Sequence, residues 1–325
     1  MKQYSHAWLA FKAVERLKKA RLKKDLRKHA DTLVDWFSDH KDDVMQGAWY
    51  PDEVIKDMAT SHVYKMTPAK SGREAFRELP KTYQMFAAGK NSSLYKKPFS
   101  LDTGNNLPDR CESIAHSIID NLKMLECEDK GSPVVPTDNH NTLRFFMLSH
   151  YVADAHVPFH SDSRQFSKGK NIHGYVEGLW DKEIAKYYRI DKGNERFLYN
   201  PEGFPLFVDD TKHPYNGSFL SKVEDEVIKR EFRWDYGKGN NNIWDFMYAV
   251  CQFSYLMSYD FIPKNYNQAT VTKKNLDSLK NQKYDFETMS VIMLTDAIDS
   301  IARVWLHVWK RHKEWEAKQR KKKKS

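Results

Sequence analysis

A short run of the chain, residues 150–160, concentrates imidazole and carboxylate groups that could bind a metal ion. His150 and Asp154 continue an apolar stripe with intervals of three and four residues, so they share one face of a predicted helix. That face is normally buried, and a buried carboxylate is costly unless it is paired or bound to a metal. Pro158 is expected to end the helix before His160. The run therefore predicts one ion at His150 and Asp154 and another at His160, with a core histidine capped by an aspartate as the alternative.

Further residues of ligand type lie on either side of this run. His6 stands near the beginning of the chain, Asp52 lies in a proline-containing turn, and His62 follows ten positions later. His173 and Glu177 are four residues apart and therefore share a helix face. Each of these is weak evidence alone, because single histidines and His–Glu helix pairs are usually solvent-exposed surface features. Their order along the chain is more informative.

That order resembles the zinc-dependent phospholipase C family, whose relatives include single-strand-specific fungal nucleases. The resemblance rests on motifs within about residues 1–180: His6, Gly47-Ala-Trp-Tyr-Pro-Asp52, His62, His150-x3-Asp154-x5-His160 and His173-x3-Glu177. Members of this family are all-α proteins that hold three zinc ions at the bottom of a cleft. The resemblance therefore implies an all-α fold with a multi-zinc cleft and up to three zinc ions.

The resemblance also implies a role for each matching residue. The first zinc ion would be held by Asp52, His62, His150 and Asp154, the second by His160, His173 and Glu177, and the third by His6 and Asp154. The family completes the third site with the amino group and carbonyl of an N-terminal tryptophan, and here Met1 could supply the same two groups. Asp154 would bridge two ions, and Asp52 would also orient the attacking water. Asp52 and Asp154 are thus the catalytic candidates.

Ligands of this kind suit the hydrolysis of phosphodiester bonds. Zinc lowers the pKa of bound water to about 7, and paired metals about 3.5–4 Å apart stabilise the attacking and leaving oxygens. The leading prediction is a phospholipase C-like hydrolase. A nuclease for single-stranded RNA or DNA is the alternative, and it would need aromatic platforms for stacked bases. The candidates for such platforms are Trp49, Tyr50, Tyr64 and Tyr151.

A third possibility is a helical binding module with a structural metal site that acts through basic segments. The net charge of +9 is concentrated in residues 16–28 and 310–325. We predict one helical domain over residues 1–315 and a disordered basic tail over residues 316–325. Such a tail is most simply solvated, although it could also contact an anionic membrane surface or nucleic acid.

The composition and local motifs argue against several other classes of protein. The chain has 325 residues, of which 40% are hydrophobic, and no apolar run is long enough to span a bilayer. Cys111, Cys127 and Cys251 form no CxxC pair, so we expect reduced thiols and no thiolate zinc site. The N-terminal residues lack the apolar core of a signal peptide, which predicts a cytoplasmic protein. A secreted protein whose leader has been removed would give the same sequence.

Helical patterns dominate, and strand signals are weak. The first predicted helix starts near Ser5, which would cap it, and runs to about His40, either unbroken or with one break. The others run over Asp109 to Glu128, through residues 143–154, from an Asn171 cap to about Arg189, and over Ser221–Phe232, Asn242–Phe261 and Phe286–Trp315. His156 faces away from His150 in this pattern and is predicted to be structural.

Overall fold

The computed structural model describes residues 1–40, 44–57, 59–68, 99–101, 106–126, 136–167, 169–201, 203–209, 214–237 and 241–323. The described part is mostly helical, which confirms the predicted all-α class. Its α-helices are α1 (Gln3–Lys19), α2 (Lys24–Asp39), α3 (Leu107–Glu126), α4 (Asp138–Ala155), α5 (Pro158–Ser161), α6 (Ile172–Ala185), α7 (Phe219–Lys229), α8 (Ile243–Phe261) and α9 (Phe286–Lys322).

Shorter elements connect the helices. Between α2 and α3 lie the 3-10 helix Val44–Trp49, the single π turn Pro51–Ile55 and the 3-10 turn Ala59–His62. Two antiparallel pairs of short strands follow: β1 (Met66–Pro68) pairs with β2 (Phe99–Leu101), and β3 (Ile190–Asp191) pairs with β4 (Arg196–Phe197). None of the described helices is long and apolar enough to cross a bilayer.

The first predicted helix is interrupted. The chain leaves the helical region at Ala20, and α2 begins only at Lys24. The Arg27 side chain donates hydrogen bonds back to the carbonyls of Leu17 and Ala20, at 2.7 and 3.0 Å. A side chain from the second helix therefore satisfies carbonyls that the end of the first helix leaves without intrahelical partners.

The central helix α4 carries the run at residues 150–154. Thr137 caps its N-terminus by accepting a hydrogen bond from the His140 amide at 3.1 Å. The helix ends at Ala155, and Pro158 stands at the first position of α5. The prediction of a break before His160 is therefore confirmed, although Pro158 starts a helical turn, because a proline is well tolerated at that position.

The long helix α9 runs through the core. The apolar residues along its inner face include Leu294, Ile298 and Trp305, and all three are buried. Its buried Asp299 accepts a hydrogen bond from Arg16 Nε of α1 at 2.7 Å. The helix also continues to Lys322, beyond its predicted end at Trp315. The segment predicted to be a disordered tail, residues 316–325, is therefore helical as far as Lys322. Within it Glu316 pairs with Arg320, four positions later on the same helix face.

Candidate metal centre

The structure brings the predicted donor side chains and the Met1 amine into one connected cluster around Asp154. These groups come from α1 and the residues before it (Met1 amine, His6), the π turn (Asp52), the following 3-10 turn (His62), α4 (His150, Asp154), α5 (His160) and α6 (His173, Glu177). Residues far apart in sequence thus converge because α1, α4, α5 and α6 surround the same point.

The first group of donors surrounds Asp154 Oδ2. His62 Nδ1 lies 3.0 Å and His150 Nε2 lies 3.2 Å from this oxygen. The two imidazole nitrogens are 3.1 Å apart, and Asp52 Oδ1 lies 3.7 Å from each of them. The four side chains that the resemblance assigns to one ion therefore meet at distances from which they can converge on it.

Backbone contacts fix the orientation of this group. His150 Nδ1 donates a hydrogen bond to the Ala48 carbonyl at 2.8 Å, which leaves Nε2 as the nitrogen facing Asp154. The turn that carries Ala48 approaches α4 closely at Gly47, where a Cβ would collide with the Leu143 side chain. Sequence reasoning missed Ala48, since a backbone carbonyl leaves no residue-type signal.

The second group lies around Glu177. His173 Nε2 is 2.8 Å and His160 Nε2 is 3.4 Å from Glu177 Oε1. Asn171 caps α6 as predicted, by accepting a hydrogen bond from the Gly174 amide at 3.1 Å. That cap sets the start of α6, so His173 and Glu177 lie on the helix face that meets α5.

The Met1 amino group joins the two groups. It lies 3.0 Å from Asp154 Oδ1 and 2.9 Å from Glu177 Oε1. His6 Nε2 lies 3.4 Å from the same Asp154 oxygen, and its ring stacks on that of His150 with centroids 3.8 Å apart. Asp181 holds α1 in this position, because its Oδ1 accepts a hydrogen bond from the Ser5 amide at 3.0 Å. This role of Asp181 was also missed by sequence reasoning, since it depends on how α1 and α6 pack.

The carboxylates at the centre are ionised. Burial alone would raise the pKa of Asp154 and Glu177, but the Met1 ammonium and neighbouring histidines hold both pKa values well below the usual range. Conversely, burial would lower the pKa of the Met1 amine, yet the two carboxylates raise it to about 11. Negative charge therefore lies at the bottom of the cluster, where a cation would be stabilised.

Two of the imidazoles are neutral, which is the form that binds metals. Burial lowers the pKa of His160 to about 4 and that of His6 well below its usual range. Both ring nitrogens of His6, and Nδ1 of His160, are buried without hydrogen-bond partners. Such atoms are costly unless something else binds them. Imidazole and carboxylate donors without thiolates suit zinc, so the residues present fit a zinc centre.

The aromatic candidates for base stacking are placed differently from the prediction. Tyr64 and Tyr151 are buried, so neither can serve as a stacking platform. Tyr151 instead donates a hydrogen bond to Asp57 beside the π turn. Trp49 and Tyr50 are half-buried. His156 lies outside the cluster, with Nε2 2.8 Å from Ser300 Oγ, which agrees with its predicted structural role.

Comparisons with known proteins identify only distant likenesses. No family model and no curated protein matches the chain. One similar solved structure is the alpha-toxin of Clostridium perfringens from an avian strain, with 14% identity, a TM-score of 0.46, and coverage of 93% of this chain and 63% of that one. Another is the alpha toxin from Clostridium absonum, with 13% identity, a TM-score of 0.43, and coverage of 95% and 64%. The chain thus spans less than two thirds of either protein, and at these values the likeness assigns no residue, ligand or activity to it.

Proposed function

We propose that this chain is a zinc-dependent hydrolase of phosphodiester bonds, of the phospholipase C type. The observation that carries the proposal is the convergence of imidazoles, carboxylates and the Met1 amine on Asp154. Such a concentration of buried ionisable groups is costly to the fold and has no evident structural purpose. Binding metal ions for catalysis would give this cluster a function.

The three groups of donors correspond to three ions. Asp52, His62, His150 and Asp154 would hold the first, His160, His173 and Glu177 the second, and Met1, His6 and Asp154 the third. When bound, zinc would lower the pKa of a water molecule to about 7 and neutralise charge that develops on the phosphate.

Asp154 is suited to bridge two ions because its oxygens have different neighbours. Oδ1 faces the Met1 amine and His6, whereas Oδ2 faces His62 and His150. The low pKa of this carboxyl keeps both oxygens available as ligands. Replacement of this one side chain should therefore affect two sites together.

Asp52 is suited to contact the attacking water. Its side chain is 34% exposed, against 2% for Asp154 and 12% for Glu177, so it is the carboxylate nearest to solvent. Burial raises its pKa, although nearby histidines oppose that shift. A carboxylate at the mouth of the site can accept a hydrogen bond from water and hold it for attack.

The surroundings of Asp52 favour a phospholipid over a nucleic acid. Val54 and Ile55 follow it in the same turn and are 61% and 44% exposed. Exposed apolar side chains beside a catalytic group suit contact with lipid. Two of the tyrosines that could have stacked on bases are buried, which weakens the nuclease alternative.

The proposal is tested by measuring turnover and metal content on the same sample. The substrates are a soluble generic phosphodiester, phospholipid vesicles and single-stranded DNA. We expect bound zinc and hydrolysis of the first two, with lipid preferred. Preference for DNA would support the nuclease, and zinc binding without turnover of any substrate would support the binding module with a structural metal site.

A further inference from the structure

A second group of potential ligand atoms lies where the end of α3 meets the C-terminal part of α9. Glu126 is the last residue of α3, and His312 and Glu316 lie on α9. One ligand atom from each lies within 4.8 Å of the others. His312 and Glu316 are four residues apart, the same spacing as His173 and Glu177, and therefore share a helix face. None of these residues belongs to the centre around Asp154.

The imidazole of His312 makes no hydrogen bond to either glutamate of this group. The residue is 2% exposed, and its Nδ1 has no hydrogen-bond partner. Its Nε2 lies 4.0 Å from Glu126 Oε1, which is too far for a hydrogen bond. Burial lowers the pKa of this histidine to about 4, so the ring is neutral at pH 7. A buried neutral imidazole that faces a carboxylate without bonding to it is an incomplete polar contact.

We propose that Glu126, His312 and Glu316 form a separate zinc site. One imidazole and two carboxylates are donors that zinc accepts, and two carboxylates balance the charge of a dication. Glu126 is exposed, which leaves a path for the ion and a position for water. The three ligand atoms lie within 4.8 Å of one another, and rotation of the side chains would have to bring them closer for coordination.

The ion would compete with two existing partners of Glu316. This carboxylate accepts hydrogen bonds from Lys313, at 2.8 Å, and from Arg320. The Arg320 side chain is 74% exposed, and ion pairs of such exposed side chains contribute little to stability. Zinc can therefore take one oxygen of Glu316 at small cost. The site would link the last turn of α3 to α9 and would stabilise the folded chain, because the unfolded chain does not hold the three ligands together.

The test is a zinc count on variants of the full chain. Wild type, Glu126→Gln, His312→Gln and the control Asp120→Asn are stripped with a chelator and dialysed against buffered micromolar free zinc. Asp120 is an exposed residue of α3, the helix that carries Glu126, and it lies outside the proposed site. We expect Glu126→Gln and His312→Gln to bind one zinc fewer than wild type, and Asp120→Asn to match wild type. The zinc-dependent rise in melting temperature should be smaller for Glu126→Gln than for Asp120→Asn.

The results of this zinc count can be distinguished from the results that test the proposed function. If the variant of the buried His312 does not fold, the variant of the exposed Glu126 decides. Folded Glu126→Gln with wild-type zinc content overturns the proposal. A zinc equivalent that depends on Glu126, in a protein without phosphodiesterase activity, supports this site and refutes only the proposed function. Loss of that equivalent should leave hydrolysis of a soluble phosphodiester unchanged.

Discussion

The amino group of Met1 lies 3.0 Å from Asp154 Oδ1, although the two residues are 153 positions apart. Both groups are buried, and the amine also contacts Glu177 at 2.9 Å. The residue that precedes the N-cap of α1 is therefore part of the candidate metal centre. The contact links Met1 directly to the central helix α4.

A short extension before Met1 should impair the third ion site. The amine can pair with Asp154 when it is protonated and can bind a metal ion when it is deprotonated. Two added glycines would convert it into an amide, which can do neither. We expect one zinc equivalent fewer and a lower rate of phosphodiester hydrolysis. The extension can be made removable by a specific protease, so that cleavage restores Met1 as the first residue. Unchanged zinc content and rate in the extended protein would show that the amine is not a ligand.

The substitution Asp154→Asn should remove the first and third ions together. It keeps the shape of the side chain but removes the charge that both groups of donors share. We expect a rate reduced by more than about 100-fold, above the range common for residues that only support ligands. The His160–His173–Glu177 site should be partly retained, and far-ultraviolet circular dichroism should change little.

Asp299→Asn is the matched control for Asp154→Asn. Asp299 is also a buried helical carboxylate, but it pairs with Arg16 at 2.7 Å and has no place in the cluster. Its neutralisation should lower the melting temperature because Arg16 loses its carboxylate partner and keeps only backbone carbonyls as hydrogen-bond acceptors, while the zinc content of the folded protein stays at the wild-type level. Wild-type zinc and wild-type rate in Asp154→Asn would contradict the assignment.

Chelation should destabilise the protein. A ligand bound only by the folded state at 100 times its dissociation constant adds about 2.7 kcal/mol to the free energy of unfolding. We therefore expect purified protein to carry zinc, and its melting temperature to fall after treatment with a chelator and recover when zinc is added. The measurements are elemental analysis and thermal unfolding. Metal-free protein with an unchanged melting temperature and activity would refute the zinc centre.

The exposed residues beside Asp52 should affect the rate of hydrolysis of lipid substrates only. Burying one Val or Ile side chain contributes about 1.5–3 kcal/mol, so the double variant Val54→Ser/Ile55→Ser should lose at least about tenfold in rate on vesicles. Hydrolysis of a soluble phosphodiester should stay unchanged. The control is Ile228→Ser, which replaces a side chain that is 74% exposed on α7, a helix without ligands. Equal losses on both substrates would argue against a lipid contact.

His307 should make stability depend on pH. Burial lowers its pKa to about 4, while its Nε2 donates a hydrogen bond to the Trp234 carbonyl at 2.6 Å. As pH falls below about 6.5, the unfolded chain binds a proton here and the folded chain does not, so stability present at pH 7 is lost towards pH 4. Between pH 7 and pH 5 this histidine should account for about 2 kcal/mol of lost stability.

The variant His307→Gln isolates that contribution. Glutamine keeps an N–H donor for Trp234 but does not titrate. Urea unfolding at both pH values, with a chelator present throughout, should show a smaller loss for the variant than for wild type. The same loss in both proteins would mean that other groups carry the pH dependence.

Local sequence features predicted most of the helical framework and the composition of the site. The periodicity of α4 predicted that His150 and Asp154 share one face, and Asn171 predicted the start of α6. These features were readable because side-chain direction and helix capping depend on neighbours within a few positions. The N-terminal boundary of α1 was less accurate. Ser5 was predicted to cap it, but the helix begins at Gln3, and the Ser5 amide donates to Asp181 on α6.

The order of residues establishes which donors the chain carries, and its periodicities indicate helices throughout. The packing of those helices is what makes Ala48 orient His150, Tyr151 a buried donor to Asp57 and His312 face Glu126. These contacts join residues that are distant in sequence, so their formation depends on how whole helices pack. No local pattern records that packing, because the same residue types can be exposed or buried according to which helix lies against them.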